Sequence, residues 1–264
     1  MKNIFQIKVK LLYNKRVTGN YFHCAFLAPR VASQATPGQF VNIKVSDQLE
    51  PLLRRPLSIH RVFGSRIDIL YEALGQGTKL LSQRKSGEFL DVIGPLGEGF
   101  NYEQKAKGRG AKLLVAGGMG VAPLVFLAQE LTGQEPKPEV LVLIGANSKD
   151  KILCAKEFKA LGCQVQIATD DGSRGFKGYV SGLLKKTLAD REYRASAIYA
   201  CGPRQMLEAV TRVSHKHNIL TQVSWEEHMA CGIGACLGCV VNTKSGFKRA
   251  CKEGPVFNAE EIIW

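Results

Sequence analysis

No stretch of this 264-residue chain holds the roughly 18 uninterrupted apolar residues that a membrane-crossing helix needs. The best candidate, Leu113 to Ala128, is broken by Gly117-Gly118, Gly120 and Pro123, and reads instead as strand, loop and helix. The first ten residues, MKNIFQIKVK, scatter lysines through their apolar positions and lack the apolar core of a secretory signal. A cytoplasmic protein without membrane attachment is expected. Acidic residues are scarce, 23 against 36 Lys and Arg, for a net charge of +13. Such a balance raises nucleic acid as a partner. Yet the basic residues are dispersed, and no arginine–aromatic run or helix-turn-helix pattern accompanies them, so a nucleic-acid binder is not expected. The short basic clusters, at Lys105, Lys107, Arg109 and Lys112 and at Lys248, Arg249 and Lys252, suit a solvated surface, an acidic protein partner or a phosphate-bearing cofactor. Internal repeats and low-complexity segments are absent. So is the G-x-G-x-x-G fingerprint of ordinary dinucleotide-binding folds.

What the chain does have is cysteine in a specific place. Cys231, Cys236, Cys239 and Cys251 follow the spacing C-x4-C-x2-C-x11-C. A tight loop of three thiolates with a fourth further on is the plant-type pattern for a [2Fe–2S] cluster. The intervening Gly232, Gly234, Ala235 and Gly238 are small enough for the backbone to curl round a cluster and aim N–H groups at its sulfurs. Structural zinc remains an alternative, although such sites usually show two paired short spacings and only one C-x2-C exists here. The other cysteines, Cys24, Cys154, Cys163 and Cys201, are scattered in apolar surroundings, as reduced core thiols are.

The length suggests two domains with an appendage. Residues 1–105 read as a small antiparallel β-barrel. Strand-like runs at Ile4–Leu12, Tyr21–Leu27, Gln39–Val45, Leu57–Phe63, Ile67–Tyr71 and Phe89–Ile93 are separated in several places by turn residues. Residues 106–222 alternate apolar strands (Lys112–Ala116, Val140–Ile144, Val165–Ala168, Ile198–Ala200) with helical stretches, the signature of a parallel sheet covered on both faces. Residues 223–264 show little periodicity and are expected to be built around the cysteines.

Two sets of motifs point to organic cofactors. Arg55-Pro56-Leu57-Ser58 opens a barrel strand, where Arg and a hydroxyl can hold a phosphate and a ring edge. Gly75-Gln76-Gly77-Thr78 opens a short helix whose free N–H groups suit a pyrophosphate. Together, in this order, they suggest FAD. Gly117-Gly118-Met119-Gly120 joins the first parallel strand to its helix, Thr169-Asp170-Asp171-Gly172-Ser173 ends the third strand, and Cys201-Gly202-Pro203 ends the fourth. These loops share one edge of the sheet, where a nicotinamide dinucleotide would lie. The turn after the second strand, Gly145-Ala146-Asn147-Ser148, offers no Arg for a 2′-phosphate, which favours NAD over NADP.

The order of barrel, nicotinamide domain and cysteine loop resembles the ferredoxin reductase superfamily. Within it, the chain resembles the electron transfer subunits of class 1B dihydroorotate dehydrogenases. The resemblance covers nearly the whole chain and rests on TPGQF (36–40), PLLRRPLSI (51–59), GQGT (75–78), GPLGEGF (94–100), GGMGVAPL (117–124), TDDGS (169–173), CGP (201–203), CGIGACLGC (231–239) and CKEGPVF (251–257). It implies FAD contacts from Arg55, Pro56, Leu57, Ser58, Leu70, Tyr71, Glu72, Gly77 and Thr78. It places NAD near Gly117, Gly118, Gly120, Asp171, Cys201, Gly202 and Pro203, and makes the four C-terminal cysteines iron ligands. Glu72 departs from the family pattern, which often has Arg there. The resemblance further implies an FMN-containing dihydroorotate dehydrogenase catalytic subunit as partner, in a heterotetramer of two chains of each kind. Lys244, Lys248, Arg249 and Lys252 around Cys251 would face it. No catalytic acid or base is implied in this chain. A sulfide dehydrogenase or ferredoxin:NADP⁺-type flavin subunit, an oxygenase reductase and a zinc-stapled interaction protein remain the competing readings.

Overall fold

The computed structural model describes residues 3–103, 110–190 and 193–264, in two compact units. The basic cluster at Lys105, Lys107 and Arg109, and the expected boundary at 105/106, lie outside the described residues. One unit comprises residues 1–99, 227–241 and 248–255; the other comprises 100–226, 242–247 and 256–264. The segment 223–264 therefore contributes to both units.

The first unit is a closed six-stranded barrel: β1 (Phe5–Thr18), β2 (Tyr21–Leu27), β3 (Phe40–Lys44), β4 (Arg55–Phe63), β5 (Arg66–Glu72) and β6 (Phe89–Leu96). Its order, β1-β2-β5-β4-β3-β6, returns to β1, so no edge is left to pair with another chain. Alternation drives the closure. In β1 the side chains of Val9 and Leu11 are buried while Lys8 and Lys10 face water. Leu11, Phe26, Ile43, Ile59, Ile67, Ile69 and Leu90 fill the interior. A one-turn helix, α1 (Pro29–Ala32), follows β2, and α2 (Gln76–Gln83) follows β5. Leu81 anchors α2 in the core. At its far end Asn14 Nδ2 donates to the carbonyls of Leu81 (2.8 Å) and Arg84 (3.1 Å), and Tyr71 Oη donates to Asn14 Oδ1 (3.0 Å).

The second unit is built on parallel strands β7 (Ala111–Gly117), β8 (Val140–Ala146), β9 (Gln164–Thr169), β10 (Phe176–Lys177), β11 (Ala195–Cys201) and β12 (Thr221–Ser224). Helices α3 (Val121–Thr132), α4 (Ala155–Ala160), α5 (Val180–Ala189) and α6 (Arg204–Lys216) connect them, α3 packing beside α4 and α5 beside α6. Covered on both faces, β7 and β8 read as continuous apolar runs, and Leu113–Ala116 and Val140–Ile144 are buried throughout. The sheet order is β10-β9-β8-β7-β11-β12-β15, the last strand (β15, Val256–Asn258) being antiparallel to β12. Between β12 and β15 lie a two-stranded ladder, β13 (Val240–Thr243) with β14 (Gly246–Arg249), and the cysteines.

Candidate functional site: a cysteine loop, a phosphate cradle and a sheet edge

The cysteine loop belongs to the barrel unit. Its thiols come in two pairs within hydrogen-bonding reach, Cys231 with Cys236 and Cys239 with Cys251. A cluster of two irons, each needing two protein thiolates, asks for that arrangement. The loop can curl because Gly232 and Gly234 take positive φ (69° and 85°), and Leu237 is carried into the same region (58°). The curl turns N–H groups inward: Ala235 N and Cys236 N approach Cys231 Sγ at 3.3 and 3.4 Å. Burial resists ionisation of the Cys231 thiol, but the N–H groups of Ile233, Cys236 and Ala235 outweigh it and bring its pKa down to about 6. Burial and the neighbouring Cys239 thiol push Cys251 the other way, up to about 12. A cation at this point would relieve that cost. Cys239 and Cys251 are buried, while Cys236 reaches the surface beside exposed Leu237 and Ile233. This donor set fits an iron–sulfur cluster.

Arg249 corrects one expectation. It is not a free surface charge offered to a partner. Its Nη1 donates to the Gly234 carbonyl (2.7 Å), its Nε to Glu253 Oε2 (3.0 Å), and its own N–H to the same oxygen (2.8 Å). The guanidinium clamps the loop from below. Lys244 and Lys252 are exposed, as expected.

The second arrangement lies at the open end of α2. A Cβ on Gly77 would sit 2.1 Å from Arg55 Nε and 2.4 Å from Cζ, so the guanidinium lies against the helix start, and a larger residue there would have to displace it. Arg55 is steadied by the carbonyl of Leu53 at 2.6 Å. The helix has no side-chain cap, which leaves its first N–H groups available beside a fixed positive charge. The Thr78 hydroxyl closes the turn, accepting from Leu74 N at 3.0 Å. Pro56, Leu57 and Ser58 continue along β4, half-buried. These residues fit a flavin dinucleotide. Leu70 and Tyr71 are buried in β5, and Tyr71 spends its hydroxyl on Asn14 and its ring on Phe22 (centroids 5.7 Å apart). Glu72 ends the strand opposite Tyr21, half-buried.

The third arrangement is in the other unit. After β7 the chain first builds β8, β9 and β10 on one side, then returns to place β11 on the other. Ligands of open α/β sheets bind where the order reverses in this way. Gly117–Gly120 and Cys201–Pro203 meet at that point, Ala116 pairing with Cys201. The approach is close. A Cβ on Gly120 would lie 2.0 Å from the Cys201 carbonyl oxygen, and one on Gly117 would lie 2.5 Å from Met206 Sδ. Gly118 has φ +52° with nothing within 4 Å, so its backbone stands open at the edge. Burial pushes the Cys201 thiol up to about 12 against the pull of the Ser224 hydroxyl, leaving it protonated and inert. Asp171, two residues past the end of β9 and two strands away on the same edge, is exposed, with its carboxyl held low by hydrogen bonds from Ser173. These residues suit a nicotinamide dinucleotide lying along the edge.

Residues 226–263 match the iron-sulfur cluster binding domain of dihydroorotate dehydrogenase B, and residues 114–212 match the oxidoreductase NAD-binding domain. The chain is 42% identical to the electron transfer subunit of dihydroorotate dehydrogenase B (NAD(+)) of Desulforamulus reducens, over 100% of both chains. It belongs to that family. Another electron transfer subunit, from a Geobacillus species, is 38% identical over 98% of each chain. Among solved structures, a chain of an NADH-dependent reduced ferredoxin-NADP oxidoreductase aligns with TM-score 0.84 and 29% identity, covering 97% of this chain and 90% of that one. A ferredoxin NADP⁺ reductase from Neisseria gonorrhoeae with bound FAD and NADP shares the fold at TM-score 0.65 and 14% identity, covering 80% and 91%. Membership in the electron transfer subunit family brings iron–sulfur, FAD and NAD to one oxidoreductase chain. Sequence reasoning did not find Asn42 or the Arg249–Glu253 clamp. Arg249 and Glu253 stand four apart on either side of Cys251, which was a usable signal; Asn42 gave none.

Proposed function

We propose that the chain takes electrons from the FMN of a dihydroorotate dehydrogenase catalytic subunit and delivers them, through a [2Fe–2S] cluster and FAD, to NAD⁺, within pyrimidine biosynthesis. Cys231, Cys236, Cys239 and Cys251 hold the cluster; Arg55, Ser58, Gly77 and Thr78, with the Pro56, Leu57, Leu70, Tyr71 and Glu72 backbone, hold the flavin. Gly117, Gly118, Gly120, Asp171, Cys201, Gly202 and Pro203 receive the nicotinamide dinucleotide. When bound, the cluster supplies one-electron transfer and the flavin converts it to the two-electron hydride that NAD⁺ accepts. The chain's own work is positional. The inward N–H groups stabilise charge on sulfur, Arg55 neutralises phosphate, and the small residues at the sheet edge let the ring approach the backbone. No side chain needs to move a proton.

The observation that carries this reading is the pairing of four thiols on a loop that folds onto the same barrel as the Arg55–Gly77 cradle. The partner is an FMN-bearing subunit, the assembly contains two chains of each kind, and the compartment is the cytoplasm. Coexpression with a catalytic subunit tests it. Dihydroorotate should then reduce NAD⁺, whereas the chain alone should oxidise NADH with artificial dyes and leave dihydroorotate untouched. Dihydroorotate oxidation by the chain alone, or no complex with such a subunit, would overturn the reading.

A further inference from the structure

Asn42 is a buried amide in the middle of a barrel strand. It lies between Val41 and Ile43 in β3 and is only 1% exposed. On one side it is paired in register with Pro56 of β4, inside the Arg55–Ser58 segment; on the other it faces Ile93 of β6. Its Nδ2 donates to the backbone carbonyl of Cys231 at 3.3 Å, across 189 positions of sequence. The contact is matched from the other side. Gly232 has φ +69°, and a Cβ there would lie 2.5 Å from Asn42 Nδ2. The amide and the bare Cα of the loop thus fit face to face.

The fold by itself does not call for this residue. Every other buried position of β3, Phe40, Val41 and Ile43, is apolar. Asn42 also leaves its Oδ1 buried with no hydrogen-bond partner among the described residues. A buried polar atom without a partner lowers stability, and cores keep such groups where specificity or function requires them.

We propose that Asn42 is a positioning residue for the cluster: it pins the first ligand, Cys231, to the strand that runs beside the flavin segment. The inference rests on the cluster and flavin assignments above. Holding the Cys231 carbonyl fixes the peptide that leads into Gly232, and with it the direction in which Ile233, Ala235 and Cys236 present their N–H groups to Cys231 Sγ. Hydrogen bonds to cluster sulfurs stabilise the reduced, more negative form and so raise its potential. Releasing the pin should lower the potential and let the cluster drift relative to the flavin segment, without touching the groups that hold either.

The test uses the full chain, loaded with iron, sulfide and FAD, with Asn42→Leu and Asn42→Ala compared to wild type. Both remove the amide donor without adding charge beside the cluster, and Asn42→Ala adds no bulk. Both variants should keep full iron and flavin content, and flavin reduction by NADH should be unchanged in stopped-flow. The cluster midpoint potential should become more negative, the electron paramagnetic resonance signal of the reduced cluster should change shape, and cluster reduction following flavin reduction should slow several-fold. If Asn42→Leu does not fold, Asn42→Ala carries the test. Unchanged potential, signal and transfer rate in a folded, fully loaded variant would overturn the proposal, whether or not its thermal stability changes. A wild-type protein with no iron signal would overturn the assignment beneath it, and the proposal with it.

Discussion

The cysteine loop and the glycine edge of the sheet both prepare the chain to hold a cofactor, by opposite means. The loop uses side chains on irregular backbone: four thiols, two positive-φ glycines and an arginine clamp, with Cys236 at the surface. The sheet edge uses almost no side chains. Gly117, Gly118, Gly120 and Gly202 clear space, and the site is formed by the reversal of strand order between β7 and β11. A side-chain site is lost by changing one atom type. A backbone site is lost only by forcing the elements apart.

The largest test of that contrast is Cys236→Ser. It should abolish or severely destabilise the cluster, read as loss of about two irons and two acid-labile sulfides per chain, while NADH still reduces bound FAD. Stoichiometric zinc without iron in the wild type would remove the contrast at its root. At the sheet edge the matched pair is Gly120→Ala against Gly118→Ala. The first places a methyl against the Cys201 carbonyl and should cost roughly 3 kcal/mol or more, with NADH affinity falling. The second meets open space and only a left-handed backbone, at about 1 kcal/mol. Equal denaturation midpoints for the two would show that the close approach is not rigid. Arg55→Ala, in the cradle, removes a charge-assisted contact worth roughly 1.5–3 kcal/mol, so FAD should be lost about 10- to 150-fold more readily; unchanged FAD affinity would sink the assignment.

The smallest effect is in acid. The Arg249 side chain holds the Glu253 carboxylate at a pKa of about 2, against an ordinary 4.5. A carboxylate with a depressed folded-state pKa contributes its stability above the unfolded value and loses it as pH falls. The denaturation midpoints of wild type and Glu253→Gln should therefore differ at neutral pH and converge between about pH 4.5 and 2. The pair is partly exposed, so the difference should be modest.

How much of this was legible in the sequence follows from the same contrast. The cysteine spacing is local and chemical, so an iron–sulfur binding segment could be read directly. The six barrel strands and the four apolar strands of the sheet were legible because alternation and continuous apolar runs are local too. The Arg55–Gly77 contact was expected only as two separate motifs; their meeting depends on barrel closure. β12 and β15 escaped notice because Thr221–Ser224 and Val256–Asn258 are too short for periodicity, and β12 buries Thr, Gln and Ser whose pairing partners lie far along the chain. Gln222, for one, receives the Asn101 N–H and donates to its carbonyl. The division of residues 223–264 between two units was invisible for the same reason.

That division has a practical consequence. Past Glu226 the chain goes to the barrel unit, returns for residues 242–247, goes back for 248–255 and returns again for 256–264. The cysteine loop is therefore stitched in rather than hung on. A truncation meant to remove only the cluster would also strip β15 from the sheet, leaving β12 as a raw edge with unpaired backbone, prone to self-association. The tail should not behave as an independent module, and insertions or fusions between Glu227 and Asn258 should disturb both units.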